Sequence, residues 1–264
     1  MNLVINQSQK AECFASIFQH IKVFTEQINV LFEKDKMYIQ SMDNSRVSIF
    51  EITIPSDWFD VYDHQSAGTI TIGITSSILF RILNAREKTQ QIQIEYKGDD
   101  TDHLFIHFTG DCKTEFDKHF EIALLDIENE LVNIHDMESN AEFVLQSSNF
   151  ATIINELKMF GTDLNIECSE EKIMLCASSA EQGKMYVQIK IDDLSTYMID
   201  EGETVNMSFS LTYLHNICLY NKISKEMEIK ICKNCPMKIT YILNGNENAK
   251  MVFYLAPRIN DNDS

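Results

Sequence analysis

Residues 147–161 read SSNFATIINELKMFG. Phe150, Ile153, Ile154 and Leu157 recur at the i, i+3, i+4, i+7 spacing that places them on one side of a helix. Ser148 stands where an N-cap is expected, and Gly161 where a helix would stop. The period then drops to two: LNIECSEEKIMLCASS reads as a hairpin turning at Ser169–Lys172, and GKMYVQIKI (183–191) as the strand after it. The same order opens the chain. AECFASIFQHIKVF (11–24) carries Phe14, Ile17, Phe18 and Ile21 as a helical stripe, INVLFEKDKMYIQSM turns at Glu33–Lys36, and RVSIFEITI follows as a strand. The two turns lie about half a chain length apart, so the chain reads as two halves of one architecture.

Within each half the unit recurs. SSILFRILNAREK (76–88) is helix-like, with Ile78, Leu79, Ile82 and Leu83 apolar, and QIQIEYK and HLFIHFT follow as strands. LTYLHNICLYNKIS (211–224) is the fourth helix, ahead of MEIKICK, MKITYIL and AKMVFYL. Four helices on one face of large antiparallel sheets give an α+β fold. The expected division is 1–123, a connector at 124–142, and 143–264. LLDIENELVNIHDMESNAEF (124–143) is acidic, weakly periodic and free of Gly and Pro. It reads as an extended connector, with a short helix through Glu130, Leu131 and Ile134 as the alternative.

With 44% apolar residues, a 264-residue chain can bury a full core. No apolar run approaches membrane-spanning length, and MNLVINQSQK is unlike a signal peptide, so no membrane partner is expected. Seven scattered cysteines read as reduced thiols. The net charge of −18 argues against a general basic surface. The helical windows 9–28, 76–90, 148–161 and 212–226 nevertheless hold eight basic residues against five acidic ones. The basic residues include Lys10, Lys22, Arg81, Arg86, Lys88, Lys158 and Lys222. Helices gathered on one concave surface would offer phosphate contacts without base readout, whereas solvated helix faces commonly carry mixed charge in any case.

Catalytic signals are absent: there is no Gly-rich phosphate loop, nucleophile elbow or HExxH. Cys232 and Cys235 form a lone CxxC between two strand-like runs. Zinc needs four ligands and a thioredoxin-type pair wants a helix N-terminus, so the spacing reads as coincidental. His103, His107 and the acidic run 99–102 read as surface polar residues. No metal, cofactor or catalytic residue is expected.

The C-terminal MVFYLAPRIND (251–261) is an apolar strand stopped by Pro257, which cannot donate to a ladder, followed by a short tail of defined character. IQSMDNSRVSIFEI (39–52) and FYLAPRIND (253–261) resemble the most recognisable stretches of the eukaryotic-type sliding clamps, the proliferating cell nuclear antigen family. DWFDVY (57–62), LLDIENEL and CPMKITYIL (235–243) fall in matching order, so the resemblance spans the chain.

That resemblance implies a head-to-tail homotrimeric ring with helices inside and sheets outside. Such a ring encircles duplex DNA and tethers a DNA polymerase and other replication and repair enzymes, without catalysis of its own. A clamp loader would place it, in the nucleus or in a viral replication compartment. TEFDKHFEIAL (114–124) and GKMYVQIKI would be the edge strands that pair across subunits. Partners would insert short peptides with one aliphatic and two aromatic anchors. By matching position, the apolar wall would be Met42, Ile49, Val132, Ile134, Pro236 and Tyr254, with Ala256, Pro257, Arg258 and Ile259 offering backbone hydrogen bonds.

Departures from the family pattern include Ala15, Ser16, Asn84, Asn155, Thr212 and Leu219 where Lys or Arg is common, Arg46 for a usual histidine, and Glu170 for a modified lysine. Depleted inner basic residues make a clamp-fold interaction module that does not encircle DNA the alternative function. A metal-dependent nucleic-acid enzyme is a weaker rival.

Overall fold

The computed structural model describes residues 1–98, 102–110, 116–128, 131–135 and 138–258. They divide into two compact units. The first holds residues 1–44, 50–132 and 242–251; the second holds residues 45–49, 133–241 and the chain from Val252 onward.

A single motif, a strand running into a helix and then three further strands, recurs four times. The first copy is β1 (Asn2–Ile5), α1 (Ser8–Gln19), β2 (Gln27–Phe32), β3 (Lys36–Met42) and β4 (Ser48–Pro55). A short strand, β5 (Val61–Asp63), precedes the second copy: β6 (Ile70–Thr75), α2 (Ser76–Leu83), β7 (Gln91–Glu95), β8 (His103–Thr109) and β9 (Lys118–Ala123). The third is β10 (Ala141–Gln146), α3 (Ser147–Leu157), β11 (Asp163–Cys168), β12 (Lys172–Ser179) and β13 (Gly183–Lys190). After β14 (Thr196–Ile199) the fourth runs β15 (Val205–Ser210), α4 (Leu211–Cys218), β16 (Glu226–Ile231), β17 (Met237–Leu243) and β18 (Asn246–Leu255).

In the first unit the strands order as β5-β1-β7-β8-β9 and as β4-β3-β2-β6. In the second they order as β13-β12-β11-β15 and as β14-β10-β16-β17. Every pairing with an assigned register is antiparallel, for example Leu3 opposite Ile94 and Phe143 opposite Ile229. Alternation along the strands follows: in β8, Leu104, Ile106 and Phe108 are buried and the residues between them face out.

The helices lay their stripes on these sheets, α1 beside α2 and α3 beside α4. Phe14, Ile17 and Phe18 of α1 are buried, as are Phe150, Ile154 and Leu157 of α3. Each such side chain contributes about 1.5–3 kcal/mol by leaving water. In the first unit Phe14 meets Phe18 at 5.1 Å between ring centroids and Phe59 at 6.5 Å, and Trp58 meets Phe59 at 5.3 Å, all edge-on. The hairpin turns fall at the expected residues: Glu33 N–H donates to Lys36 O at 2.9 Å, and Ser169 N–H to Lys172 O at 3.0 Å.

Three local readings are corrected. The N-cap of α3 is Gln146, not Ser148, and its side chain makes no capping bond. The strand β10 feeds the helix directly, so Ser148 already sits in the first turn, where its carbonyl accepts from Thr152 Oγ1 at 3.0 Å. Gly161 lies beyond a turn that follows α3. Its missing side chain gives room: a Cβ there would lie 2.9 Å from Ser178 O and 3.1 Å from Ser178 N. Ile78 is 42% exposed, so the buried stripe of α2 is carried by Leu79 and Leu83.

Candidate docking and nucleic-acid surfaces

Hydrogen bonds fasten the connector in the first unit, beginning with Leu124 N–H to Asp102 O at 2.9 Å. Leu125 N–H donates to Gly73 O at 2.8 Å, where β6 passes so close that a Cβ on Gly73 would lie 2.2 Å from Leu125 O. Asn29 of β2, itself buried, donates through Nδ2 to Ile127 O at 2.9 Å. Gln40 of β3 donates through Nε2 to Val132 O at 2.8 Å, and its Oε1 accepts from Val132 N–H at 2.7 Å. The described connector residues up to Val132 contain no helix, so the extended reading holds for them, while Glu130 lies outside the described residues. The strand β10 already begins at Ala141.

Of the expected wall residues, Met42 at the end of β3 is half-buried and Val132 is 42% exposed. In the second unit Ile49, Ile134, Pro236 and Tyr254 are each half-buried. Among these, Pro236 and Tyr254 line one cavity together with His135, Lys230, Cys232 and Lys238. Lys238 Nζ stands 5.9 Å from the Tyr254 ring centroid. Lys230 is 3.0 Å from Glu142 Oε2 and 3.5 Å from Glu228 Oε1. Burial pulls the Glu142 carboxyl up, but hydrogen bonds from Ser139 and Lys230 and the charges of Lys230 and Lys238 outweigh it and hold the carboxyl below its ordinary range. The cavity thus sets Pro236 and Tyr254 beside two lysines, of which Lys230 is held by the carboxylates of Glu142 and Glu228.

The tail after β18 is tied to its own unit. Ala256 N–H donates to Val47 O at 2.9 Å, Arg258 N–H donates to Ser208 O at 2.7 Å, and Arg258 Nε lies 2.8 Å from Asp163 Oδ1. The backbone hydrogen bonds expected of this segment are thereby narrowed in kind. The N–H groups of Ala256 and Arg258 are engaged and Pro257 has none, which leaves carbonyl acceptors. Ile259 lies outside the described residues.

The basic residues divide into two sets. Lys22, Arg81, Lys88 and Lys222 are exposed, and Lys158, which caps α3, is half-buried. Lys10 instead donates Nζ to Trp58 O at 2.6 Å and sits 5.4 Å from the Trp58 ring centroid. Arg86 donates Nη1 to the carbonyls of Glu87, Lys88 and Gln90 at 2.8–3.0 Å, stapling the loop after α2. These two cations serve the fold of the first unit.

The strand β9 lies at the edge of its sheet and β13 at the edge of another, as expected for 114–124 and 183–191, although Thr114 and Glu115 lie outside the described residues. On β13 Tyr186 is 67% exposed. His107 meets His119 across the β8–β9 ladder, with their Nδ1 atoms 2.7 Å apart and the rings edge-on, a pairing that strand alternation alone did not reveal. No cluster of three or more metal-ligating side chains occurs among the described residues.

A strand–helix–three-strand motif repeated four times, twice in each half, defines the two-domain fold of the DNA clamps. Residues 5–131 match the family model for the proliferating cell nuclear antigen N-terminal domain, and residues 133–258 match that for its C-terminal domain. The chain belongs to the proliferating cell nuclear antigen family, as a divergent member. It is 23% identical over 259 residues to the proliferating cell nuclear antigen of Chaetomium thermophilum, covering 97% of this chain and 98% of that one. It is likewise 23% identical over 261 residues to that of Saccharomyces cerevisiae, with the same coverage. It is 24% identical over 254 residues to the "Probable DNA polymerase sliding clamp 2" of Paramecium bursaria Chlorella virus 1, covering 96% and 90%. The family is one of non-enzymatic scaffold proteins that act in DNA replication.

Proposed function

We propose that the chain is a DNA sliding clamp and polymerase processivity factor, acting as a head-to-tail homotrimer around duplex DNA. The observation that carries this reading is the match of both halves, end to end, to the two clamp domains. The exposed edges β9 and β13 support it, because an edge strand left unpaired in one copy is a template for the next. A heterologous contact of that kind forms a closed ring when the rotation between copies closes after three. Topological linkage then supplies processivity, and sequence-independent phosphate contacts by Lys22, Arg81, Lys88, Lys158 and Lys222 need only be weak.

Partner enzymes dock through a short peptide whose apolar and aromatic anchors take the cavity beside Pro236 and Tyr254. Met42, Ile49, Val132 and Ile134 supply further apolar contact, and the peptide's N–H groups donate to the carbonyls of Ala256, Pro257 and Arg258. The pre-ordered tail loses little entropy on docking. A clamp loader places the ring, in the nucleus or at a viral replication site. The bonding of Lys10 and Arg86 to backbone carbonyls favours one second reading, a clamp-fold interaction module that does not encircle DNA.

Light scattering separates the two: a mass of three 30.5 kDa chains at micromolar concentration supports the clamp, and a stable monomer supports the module. Ile134→Ala with Tyr254→Ala should abolish binding of an anchor-bearing peptide while leaving the trimer mass unchanged. Unchanged affinity would place the docking site elsewhere.

A further inference from the structure

The CxxC between β16 and β17 is built as a turn that brings two thiols together. Cys235 N–H donates back to Cys232 O at 3.2 Å, and Asn234 takes φ +61°. A positive φ at the third turn residue, with none at Lys233, is the type II pattern, in which Asn or Gly is favoured. Such a turn keeps the flanking Cα atoms within about 7 Å, the range a disulfide spans. The side chains also converge: Cys232 Sγ lies 2.9 Å from Cys235 Sγ and 3.6 Å from Lys233 O, either of which can accept its S–H. A disulfide of about 2.04 Å needs only a small further approach. Both cysteines are half-buried and open to a small oxidant, and Cys232 lines the cavity that holds Pro236 and Tyr254. Three other cysteines contrast with them. Cys13, Cys168 and Cys218 are buried, and burial pushes each thiol up to about 12, which keeps it inert.

We propose that Cys232 and Cys235 are a reversible dithiol–disulfide site, oxidised by peroxides, that regulates the docking cavity; the regulatory part rests on the docking role argued above. Cys235, whose sulfur can accept the Cys232 S–H, attacks the peroxide O–O bond as its thiolate. This forms a sulfenic acid and expels hydroxide, which takes up the thiol proton to leave as water. Cys232 then attacks the sulfenic sulfur, closes the S–S bond and releases a second water. Two thiols thus give up two electrons and two protons to one hydrogen peroxide, yielding one disulfide and two waters. A small dithiol reverses the step by exchange. The order suits the pair. The hydrogen bond to Cys235, then burial, then the charge of Cys235 push the Cys232 thiol up to about 11. Closing the bond draws the Cys232 sulfur toward Cys235 and off the cavity wall, and fixes the turn immediately before Pro236.

The test uses the full chain. Reduced protein is treated with hydrogen peroxide, alkylated, digested and weighed, with a 1,3-diketone present to trap sulfenic acid. The expected result is a two-hydrogen mass loss joining Cys232 to Cys235, reversed by dithiothreitol, with no trapped sulfenic acid. In Cys232→Ser, the diketone should instead label Cys235. Free alkylation of both cysteines after peroxide, or a diketone adduct persisting in the unsubstituted chain, would overturn the dithiol site. Affinity for a synthetic anchor-bearing peptide is then compared between the two redox states, with Cys232→Ser/Cys235→Ser as a redox-silent control. A drop of about fivefold on oxidation, absent from the control, is expected for partial loss of one wall contact. Equal affinity in both states would overturn the regulation and leave the disulfide standing. No binding by the reduced protein would instead overturn the docking role itself.

Discussion

Gln40 and Val132 exchange two hydrogen bonds, Nε2 to the Val132 carbonyl at 2.8 Å and Val132 N–H to Oε1 at 2.7 Å. A side-chain amide thereby presents to the connector what a neighbouring strand would present. Gln40 Nε2 also lies 3.1 Å from Glu51 Oε1, which orients the amide. Gln40→Ala should release Val132 and cost about 1 kcal/mol per bond lost. Hydrogen exchange at the Val132 amide should speed up, and peptide affinity should fall. Gln40→Glu keeps the acceptor but loses the donor and faces Glu51, so it should be the more damaging change.

Gly73 is a packing requirement within β6. The backbone oxygen of Leu125 would lie 2.2 Å from an added Cβ, and backbone cannot rotate away as a side-chain tip can. Gly73→Ala should destabilise the protein by about 1–3 kcal/mol, read as a lowered denaturant midpoint. Exchange should rise from Leu125 through Ile127, because the Asn29 contact shares that segment.

Exposed and engaged cations should behave differently on mutation. Lys22→Glu with Arg81→Glu should reduce polymerase stimulation and flatten its salt dependence, while thermal stability and peptide binding stay unchanged. Lys10→Gln loses the Trp58 contact, so it should lower stability and leave the salt dependence alone. A Lys10 variant that altered DNA retention at constant stability would return Lys10 to the DNA-binding set.

The His107–His119 pair makes stability depend on pH. Burial, then the charge of His119, lowers the His107 pKa below its ordinary 6.5; Glu95 opposes this, and Lys97 adds to it. The folded chain then binds this proton less readily than the unfolded chain, so stability is full above the ordinary value and is lost as pH falls through it. The denaturant midpoint should drop between about pH 7.5 and pH 5.5, and His107→Gln should flatten that drop.

Much of the fold is legible in the residues because its elements are amphipathic. The stripes of α1 and α3 each put three expected core residues on one face, Phe14, Ile17 and Phe18 in the first and Phe150, Ile154 and Leu157 in the second, and the hairpin turns sit between strands of clear alternation. The strands leading into the helices were harder to see. In β15 the buried Ser208 and Ser210 break the pattern, and Ser208 offers its carbonyl to Arg258. Glycine interrupts β6. The residues proposed for docking carry no periodic signal: half-buried Tyr254 and Pro236 look like core until a family pattern singles them out. The engagement of Lys10 and Arg86 was illegible because their partners are backbone carbonyls, which any sequence presents. The Cys232–Cys235 contact depends on the conformation of Asn234, which residue spacing alone does not reveal.

Encirclement of DNA is tested most directly by loading the chain onto a nicked circular duplex with a clamp loader and then cutting the circle once. A topologically linked ring should stay with the circle through gel filtration at moderate salt and be lost after linearisation, because it slides off the ends. Equal retention on circular and linear DNA, abolished only by raising salt, would mean that the chain holds DNA by surface charge and does not encircle it.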